Sequence, residues 1–265
     1  MKVSLLTICL AVTISNACSQ VKSNSNLKAI LTGNWITTAY LKELKATLSP
    51  HKAQINTKQA LQLFIDIKPT DKTSTVTDMW TLHEGGYGFS IYFKPGVKKG
   101  TFKTNFVDYD HPGTAFSDIG YEVIEKDTRL VIYHYGKKNK LLDKTYFTKA
   151  GDAGILYDQV LDYEVNKTIF TGSYKFTDST GNSKAIQFTN NGTVTGFNGF
   201  EKYSATTFFL APKNFYDEIN FIINGKTVIS YAFKKEGTTL FLYDIVKEDK
   251  FNYKQGALKY SLVKE

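Results

Sequence analysis

Residues Tyr121 to Lys144, YEVIEKDTRLVIYHYGKKNKLLDK, return 110 residues later as Tyr231 to Lys254, YAFKKEGTTLFLYDIVKEDKFNYK. Aligned without gaps, seven of the 24 positions are identical: Tyr121/Tyr231, Thr128/Thr238, Leu130/Leu240, Tyr133/Tyr243, Lys137/Lys247, Lys140/Lys250 and Lys144/Lys254. Ordinary residue frequencies give about one or two such matches. A chain that repeats itself at this distance is expected to fold as one unit written twice. Inside the repeat, Leu130, Ile132 and His134 alternate with Val131, Tyr133 and Tyr135. That period of two belongs to a strand, and one with apolar groups on both faces is covered on both.

The rest of each half reads as strands too. Gly33-Asn34-Trp35 opens one that runs to about Tyr40, and others are expected at 60–67, 74–83, 87–93, 101–107, 119–125, 128–135 and 142–148. Their connectors carry turn residues, among them Gly85-Gly86, Pro95-Gly96, Pro112-Gly113 and Lys126-Asp127. Leucines at 41, 44 and 48 have helical spacing, and Ser49-Pro50 signals a second helical turn through about Ile55. Glycines at 151 and 154 mark the boundary between the halves. Leu156, Val160, Leu161 and Val165 then suggest a connecting helix. The count restarts at Gly172-Ser173-Tyr174, with strands near 184–188, 192–197, 202–210, 218–223, 227–234, 238–246 and within 251–263. Asn191-Gly192 and Asn224-Gly225 are tight-turn dipeptides. Each half thus holds eight strands, enough to close a barrel and abolish its sheet edges. The expected fold is all-β: two tandem antiparallel eight-stranded barrels with short helices, over residues 27–150 and 169–265, joined by a linker at 151–168.

The opening Gly33-Asn34-Trp35, and the hairpin Ala185-Ile186-Gln187-Phe188-Thr189-Asn190-Asn191-Gly192-Thr193-Val194-Thr195-Gly196, resemble the first strand and the second-strand hairpin of lipocalin-like (calycin) barrels. In that family the tryptophan closes the barrel floor. This chain departs from the pattern at Tyr174, in the tryptophan position of the second half. It departs again in having only Lys144 and Lys149 where the family places an arginine over the tryptophan. The resemblance implies a carrier of a small molecule or lipid, or an enzyme built on the same barrel.

The N-terminus carries an address. Met1-Lys2 precedes the apolar run Val3 to Ile14, which has the length of a signal-peptide core. Ser15-Asn16-Ala17 sets small residues before Cys18. Residues 1–17 therefore read as a leader. The site also suits ordinary signal-peptidase cleavage, and it resembles the lipobox of bacterial lipoproteins, in which the cysteine is lipidated. With Cys9 inside the leader, Cys18 is the only cysteine left in the mature chain, which favours an anchor over a disulfide. Residues 18–26 are then a polar tether. The expected location is the bacterial envelope, at the outer membrane, held by lipid alone.

The net charge is +8, but Arg129 is the sole arginine. Nucleic-acid readers favour arginine's planar fork, so a lysine-spread charge argues for solubility or weak attraction to anionic surfaces and against nucleic-acid binding. All four histidines, His51, His83, His111 and His134, lie in the first half. His83-Glu84-Gly85-Gly86 sits at a hairpin tip, where a barrel mouth would be. It reads either as a polar turn or as a group that orients a ligand or moves a proton. Asp108-Tyr109-Asp110-His111 is a second polar cluster without zinc-site spacing. Neither a nucleophile elbow nor a phosphate loop is present, and no cofactor or metal is expected. Trp80, Tyr87, Phe89, Tyr92 and Phe93 gather in the central hairpin of the first half, with Tyr203, Phe208 and Phe209 in the matching place. Such rings line an apolar cavity or fill a solid core.

The leading functional expectation is an anchored protein that holds a small apolar or aromatic ligand in a barrel. Its candidate contacts are Trp80, His83, Glu84, Tyr87, Phe89 and His134. The alternatives are an isomerase or hydrolase in the first barrel, using His83, Glu84, Asp110 and His111, and a non-catalytic scaffold with solid barrels. The anchor has a direct test: the Cys18→Ala chain is expected to leave the membrane fraction for the soluble one when cells are fractionated.

Overall fold

The computed structural model describes residues 26–57, 60–68, 70–80, 88–106, 113–152, 154–177, 183–207, 216–250 and 252–265, with only the backbone at 60 and 78–80. Cys18, His83, Glu84, Tyr87, Asp108, Tyr109, Asp110, His111, Phe208 and Phe209 lie outside the described residues. The chain forms two compact units. Both are antiparallel sheets of eight strands.

The first sheet closes on itself in the order β1 to β8: Gly33–Thr37, Ala60–Ile65, Ser74–Trp80, Phe89–Pro95, Thr101–Thr104, Phe116–Ile124, Asp127–Tyr135 and Leu141–Lys149. Strand β1 stops at Thr37, three residues earlier than the sequence suggests. Helix α1 (Thr38–Thr47) begins there, because the helical spacing reaches back one turn: Tyr40 and Leu44 are buried on one face. Ser49 accepts a hydrogen bond from Lys52 N at 3.1 Å and caps helix α2 (Pro50–Asn56), as Ser-Pro predicts. These helices follow β1 in sequence, yet Ile36–Gln62 belongs to the second compact unit. Tyr40, Leu44 and Ala53 share a buried cluster with Val160, Leu161, Val165, Ile169 and Phe170. His51 N donates to Asp217 Oδ1 at 2.8 Å in the same unit. The connecting segment is a short 3-10 turn, helix α3 (Val160–Val165) and a π turn (Asn166–Phe170). Leu156 is not on its buried side as the spacing suggests; it precedes the helix and is exposed.

The second sheet comprises β9 to β16: Gly172–Thr177, Ser183–Phe188, Val194–Thr195, Lys202–Ala205, Asp217–Ile223, Thr227–Glu236, Thr239–Lys247 and Tyr253–Lys264. Its ladder runs β11-β10-β9-β16-β15-β14-β13-β12. The two end strands meet through one bridge, Thr193 with Lys202, and through Tyr203 N donating to Gly192 O at 2.7 Å. This barrel is nearly closed. Strand β11 has only two residues. Gly196, just beyond it, sits at a φ of +79°, which turns the chain out of the ladder.

Strand register shows how much of the repeat is structural. Leu130 faces Phe147, and Leu240 faces Leu262. The strands β7 and β15 therefore match at the offset of 110, with Leu130/Leu240 and Tyr133/Tyr243 equivalent. The gapless alignment fails on either side. Tyr121 faces Leu130 whereas Lys235 faces Leu240, so Tyr121 answers to Lys235 and not to Tyr231. The β6–β7 hairpin is two residues longer in each arm than β14–β15. Lys149 ends β8 as Lys264 ends β16, so the last strands match at an offset of 115, and Lys144 and Lys254 are not equivalent.

The interior of the second barrel is a stack of rings. Phe221 lies 4.6 Å from Phe200, 5.4 Å from Phe197 and 6.1 Å from Tyr231, centroid to centroid. Phe188 meets Tyr203 at 5.0 Å and Tyr174 at 5.3 Å, mostly edge to face. Truncating the fully buried Phe221 to alanine removes the centre of this stack. The Phe221→Ala protein is expected to lose ~3–5 kcal/mol of stability, read as an earlier denaturant midpoint for this unit.

Candidate functional site

The candidate site lies at one end of the first barrel. In an antiparallel meander alternate connections share an end, so Val76, Phe89, Thr104, Phe116, Tyr135 and Leu141 bound the same rim. His134 is one residue in from it, fully buried. Ser117 Oγ lies 3.3 Å from its Nδ1, and Thr145 Oγ1 lies 2.8 Å from its Nε2. A neutral imidazole donates from one nitrogen and accepts at the other. Two hydroxyls, each able to do either, satisfy both tautomers.

Rings cover this trio. Phe106 is 6.2 Å from the His134 ring and 4.8 Å from Phe89. Phe89 starts β4 and Phe106 follows β5, while His134 is on β7, beyond β6. Side chains from strands that are not neighbours meet only across the inside of a barrel. The Leu130, Ile132 and His134 face is thus the inner one. Of the six contact residues expected from sequence, the structure brings Phe89 and His134 to one inner wall. Trp80 ends β3 four residues beyond the Val76–Phe89 pair, in the segment Met79–Gly85 that belongs to the second compact unit. His83, Glu84 and Tyr87 fall outside the described residues.

Sequence reading missed Ser117 and Thr145. Single hydroxyls in strands carry no signal until register is known, and register puts them beside His134. It also gives their counterparts in the second barrel. Asp118 and Ala232 both face the shared tyrosine, so Ser117 answers to Tyr231. Thr145 faces Ile132 as Tyr260 faces Leu242. Tyr231 and Tyr260 are in edge contact at 5.6 Å within the ring stack. Two phenol rings of the second barrel are hydroxyl stubs in the first.

The opposite end of the first barrel is its base. The helical turn at 26–31 packs there through buried Leu27 and Leu31, and Trp35 Nε1 donates to Leu31 O at 2.8 Å. Lys149 Nζ stands 5.7 Å from the Trp35 ring centre. In the second barrel Lys235 Nζ is 4.5 Å from the Tyr174 ring and 3.0 Å from its hydroxyl. Burial there, with Lys264 nearby, lowers the Lys235 ammonium to about 8. Both barrels set a lysine on the opening aromatic; Lys144 does not take part.

Lys144 is on the outer face instead, in a network around Glu122. Glu122 Oε1 accepts from Lys98 Nζ at 2.8 Å, Lys144 Nζ at 2.8 Å and Tyr133 OH at 3.1 Å. Its Oε2 accepts from Tyr146 OH at 3.1 Å. Beside it Asp118 is fully buried and accepts from Val97 N at 2.6 Å, which ties the β4–β5 turn to the outside of β6. This network is a clamp on the wall. Among the described residues no three histidine, cysteine, aspartate or glutamate side chains gather to hold a metal ion, and no helix is long and apolar enough to cross a membrane.

The chain matches no known family model, no curated protein and no solved structure.

Partial burial pushes the Glu122 carboxyl up, but hydrogen bonds from Lys144, Lys98, Tyr146 and Tyr133 outweigh it and bring the group down to about 2. A carboxylate depressed on folding adds stability that is present above its unfolded pKa and is lost as pH falls through the folded value. The stability difference between the wild-type and Glu122→Gln proteins is therefore expected to be full at neutral pH. It should shrink between about pH 4.5 and 2 in denaturant titrations.

Proposed function

We propose that the first barrel is a small-molecule binding barrel of lipocalin-like type, and that the second is a solid structural copy of it. The observation that supports this is the exchange at equivalent inner positions. Tyr231 and Tyr260 pack in the second barrel's ring stack, and Ser117 and Thr145 replace them in the first. A wall that trades two rings for two hydroxyls gives up contact area that an occupant can restore. The groups left behind suit an occupant with an apolar or aromatic body and one polar atom. Phe89 and Phe106 offer edges and faces, and the Ser117–His134–Thr145 trio offers hydrogen bonds of either sense. Trp80, His83, Glu84 and Tyr87 stay in the proposed contact set on the sequence alone.

The protein works, in this reading, at the bacterial envelope, with Cys18 as the lipid anchor and the polar stretch to residue 26 as tether. The leader and the lone mature cysteine support that address.

The test uses the structure's own internal control. Native mass spectrometry of the gently purified chain, followed by titration with the apolar ring probe N-phenyl-1-naphthylamine, is expected to show one occupant per chain. The Ser117→Tyr/Thr145→Tyr variant puts the second barrel's residues into the first. It is expected to melt as a folded protein and to lose at least tenfold in probe affinity. A wild-type chain that carries nothing and binds no probe would overturn the reading.

A further inference from the structure

The β6–β7 hairpin of the first barrel is longer than its counterpart, and exposed apolar side chains flank its charged Glu125-Lys126 turn. Val123 is 63% exposed, Ile124 41% and Tyr121 37%. The matching tip in the second barrel is Lys235-Glu236-Gly237-Thr238, which offers no such side chains. Beside the long hairpin is a cleft of about 430 Å³ lined by Ile30, Trp35, Asp127, Thr128, Arg129, Thr148 and Lys149. Arg129 is held in place: it donates to Thr148 Oγ1 and to Asp127 Oδ2, the latter at 2.8 Å. Lys149 makes no hydrogen bond or ion pair among the described residues, although its counterpart Lys264 donates to Thr171 O at 2.7 Å. Asp127 is paired with Arg129, and Glu125 and Lys126 form the turn beside them. The chain also comes in at this base. Ile30 of the N-terminal helical turn lines the cleft, and Cys18 is eight residues before residue 26. Eight residues span at most ~28 Å.

We propose that the base of the first barrel is a membrane-docking face. The Val123–Ile124 tip sits in the interfacial layer of a phospholipid bilayer, and the Arg129–Lys149 cleft receives a lipid headgroup phosphate. Apolar side chains beside cations are the chemistry of a surface-bound segment. A tether too short to let the protein drift away holds this face, and not the His134 end, against the bilayer. The tether rests on the anchoring reading of Cys18; the tip and the cleft do not.

The test therefore uses a chain lacking residues 1–18, which keeps every described element, and phosphatidylglycerol vesicles. The chain is expected to sediment with them. Val123→Asp/Ile124→Asp should lower the partition coefficient tenfold or more, and Arg129→Gln/Lys149→Gln several-fold. The charge-matched Lys226→Gln/Lys247→Gln, at exposed positions of the second unit, should change it less than twofold. Thermal melts confirm that each variant is folded. Failure of the unaltered chain to sediment, or equal losses for both lysine-containing variants, overturns the proposal. So does a cleft that responds to millimolar inorganic phosphate, read at the Arg129 and Lys149 resonances, while the hairpin variants still bind vesicles normally; the cleft would then serve a free anion. Fractionation of the full chain with and without Cys18 reads the anchor separately, and its outcome does not alter these.

Discussion

An eight-stranded sheet closes only if its first and last strands can lie side by side, and here that junction rests on a glycine and a lysine. Gly33 opens β1 with a φ of +128°, and a side chain there would lie 3.1 Å from Lys149 Cε. Gly172 opens β9 with a φ of +136°, and a side chain there would lie 2.6 Å from Lys264 Cε. Neither conformation suits a residue with a side chain. Each glycine lets the last residue of the final strand lie flat across the start of the first. The aromatic two residues on then turns inward as the floor. Once floor and seam are set, the alternation of every strand decides which side chains face in.

That shared frame makes the differences between the barrels informative. Both walls carry Leu130 or Leu240 and Tyr133 or Tyr243 at the same places. Two interiors built on one wall face the same demand: their inner positions must be filled. The second meets it with edge-to-face rings drawn from six strands and their connectors. The first has hydroxyls at two of the equivalent positions, with a buried histidine between them at the end away from the floor. Burying polar groups costs stability unless they are paired. His134 is paired on both nitrogens, so the trio is tolerated; tolerance alone does not explain why rings were replaced there.

Much of the fold could be read from the chain because strands announce themselves by period and turns by composition. Eight strands per half and the Ser49 cap rest on such local signals. What escaped reading depends on register and on distant packing. Hairpin arms can lengthen by two residues without changing which face a side chain takes, so the gapless alignment paired Tyr121 with Tyr231 although Lys235 is its structural match. The helices after β1 look like an addition to the first half, but their buried residues Tyr40, Leu44 and Ala53 pack in the second unit, a long-range fact with no local trace. The site was legible in part for the same reason. His134 stood out as a histidine in an apolar strand, while Ser117 and Thr145 became visible only when pairing placed them at its two nitrogens.

The two ends of the first barrel now divide the work along its axis. At the rim near His134 the inner wall has lost rings and gained hydrogen-bonding groups. At the base the floor is sealed by Trp35, Leu27 and Leu31, and the departures from the second barrel are on the outside: a longer hairpin and an arginine beside the lysine that lies over the indole. A sealed floor keeps these two sets of changes independent. The two ends are not equally free to change: the base carries the Gly33–Lys149 junction of β1 with β8, so its departures are confined to the outside, whereas the His134 end lies away from that junction and differs on the inner wall.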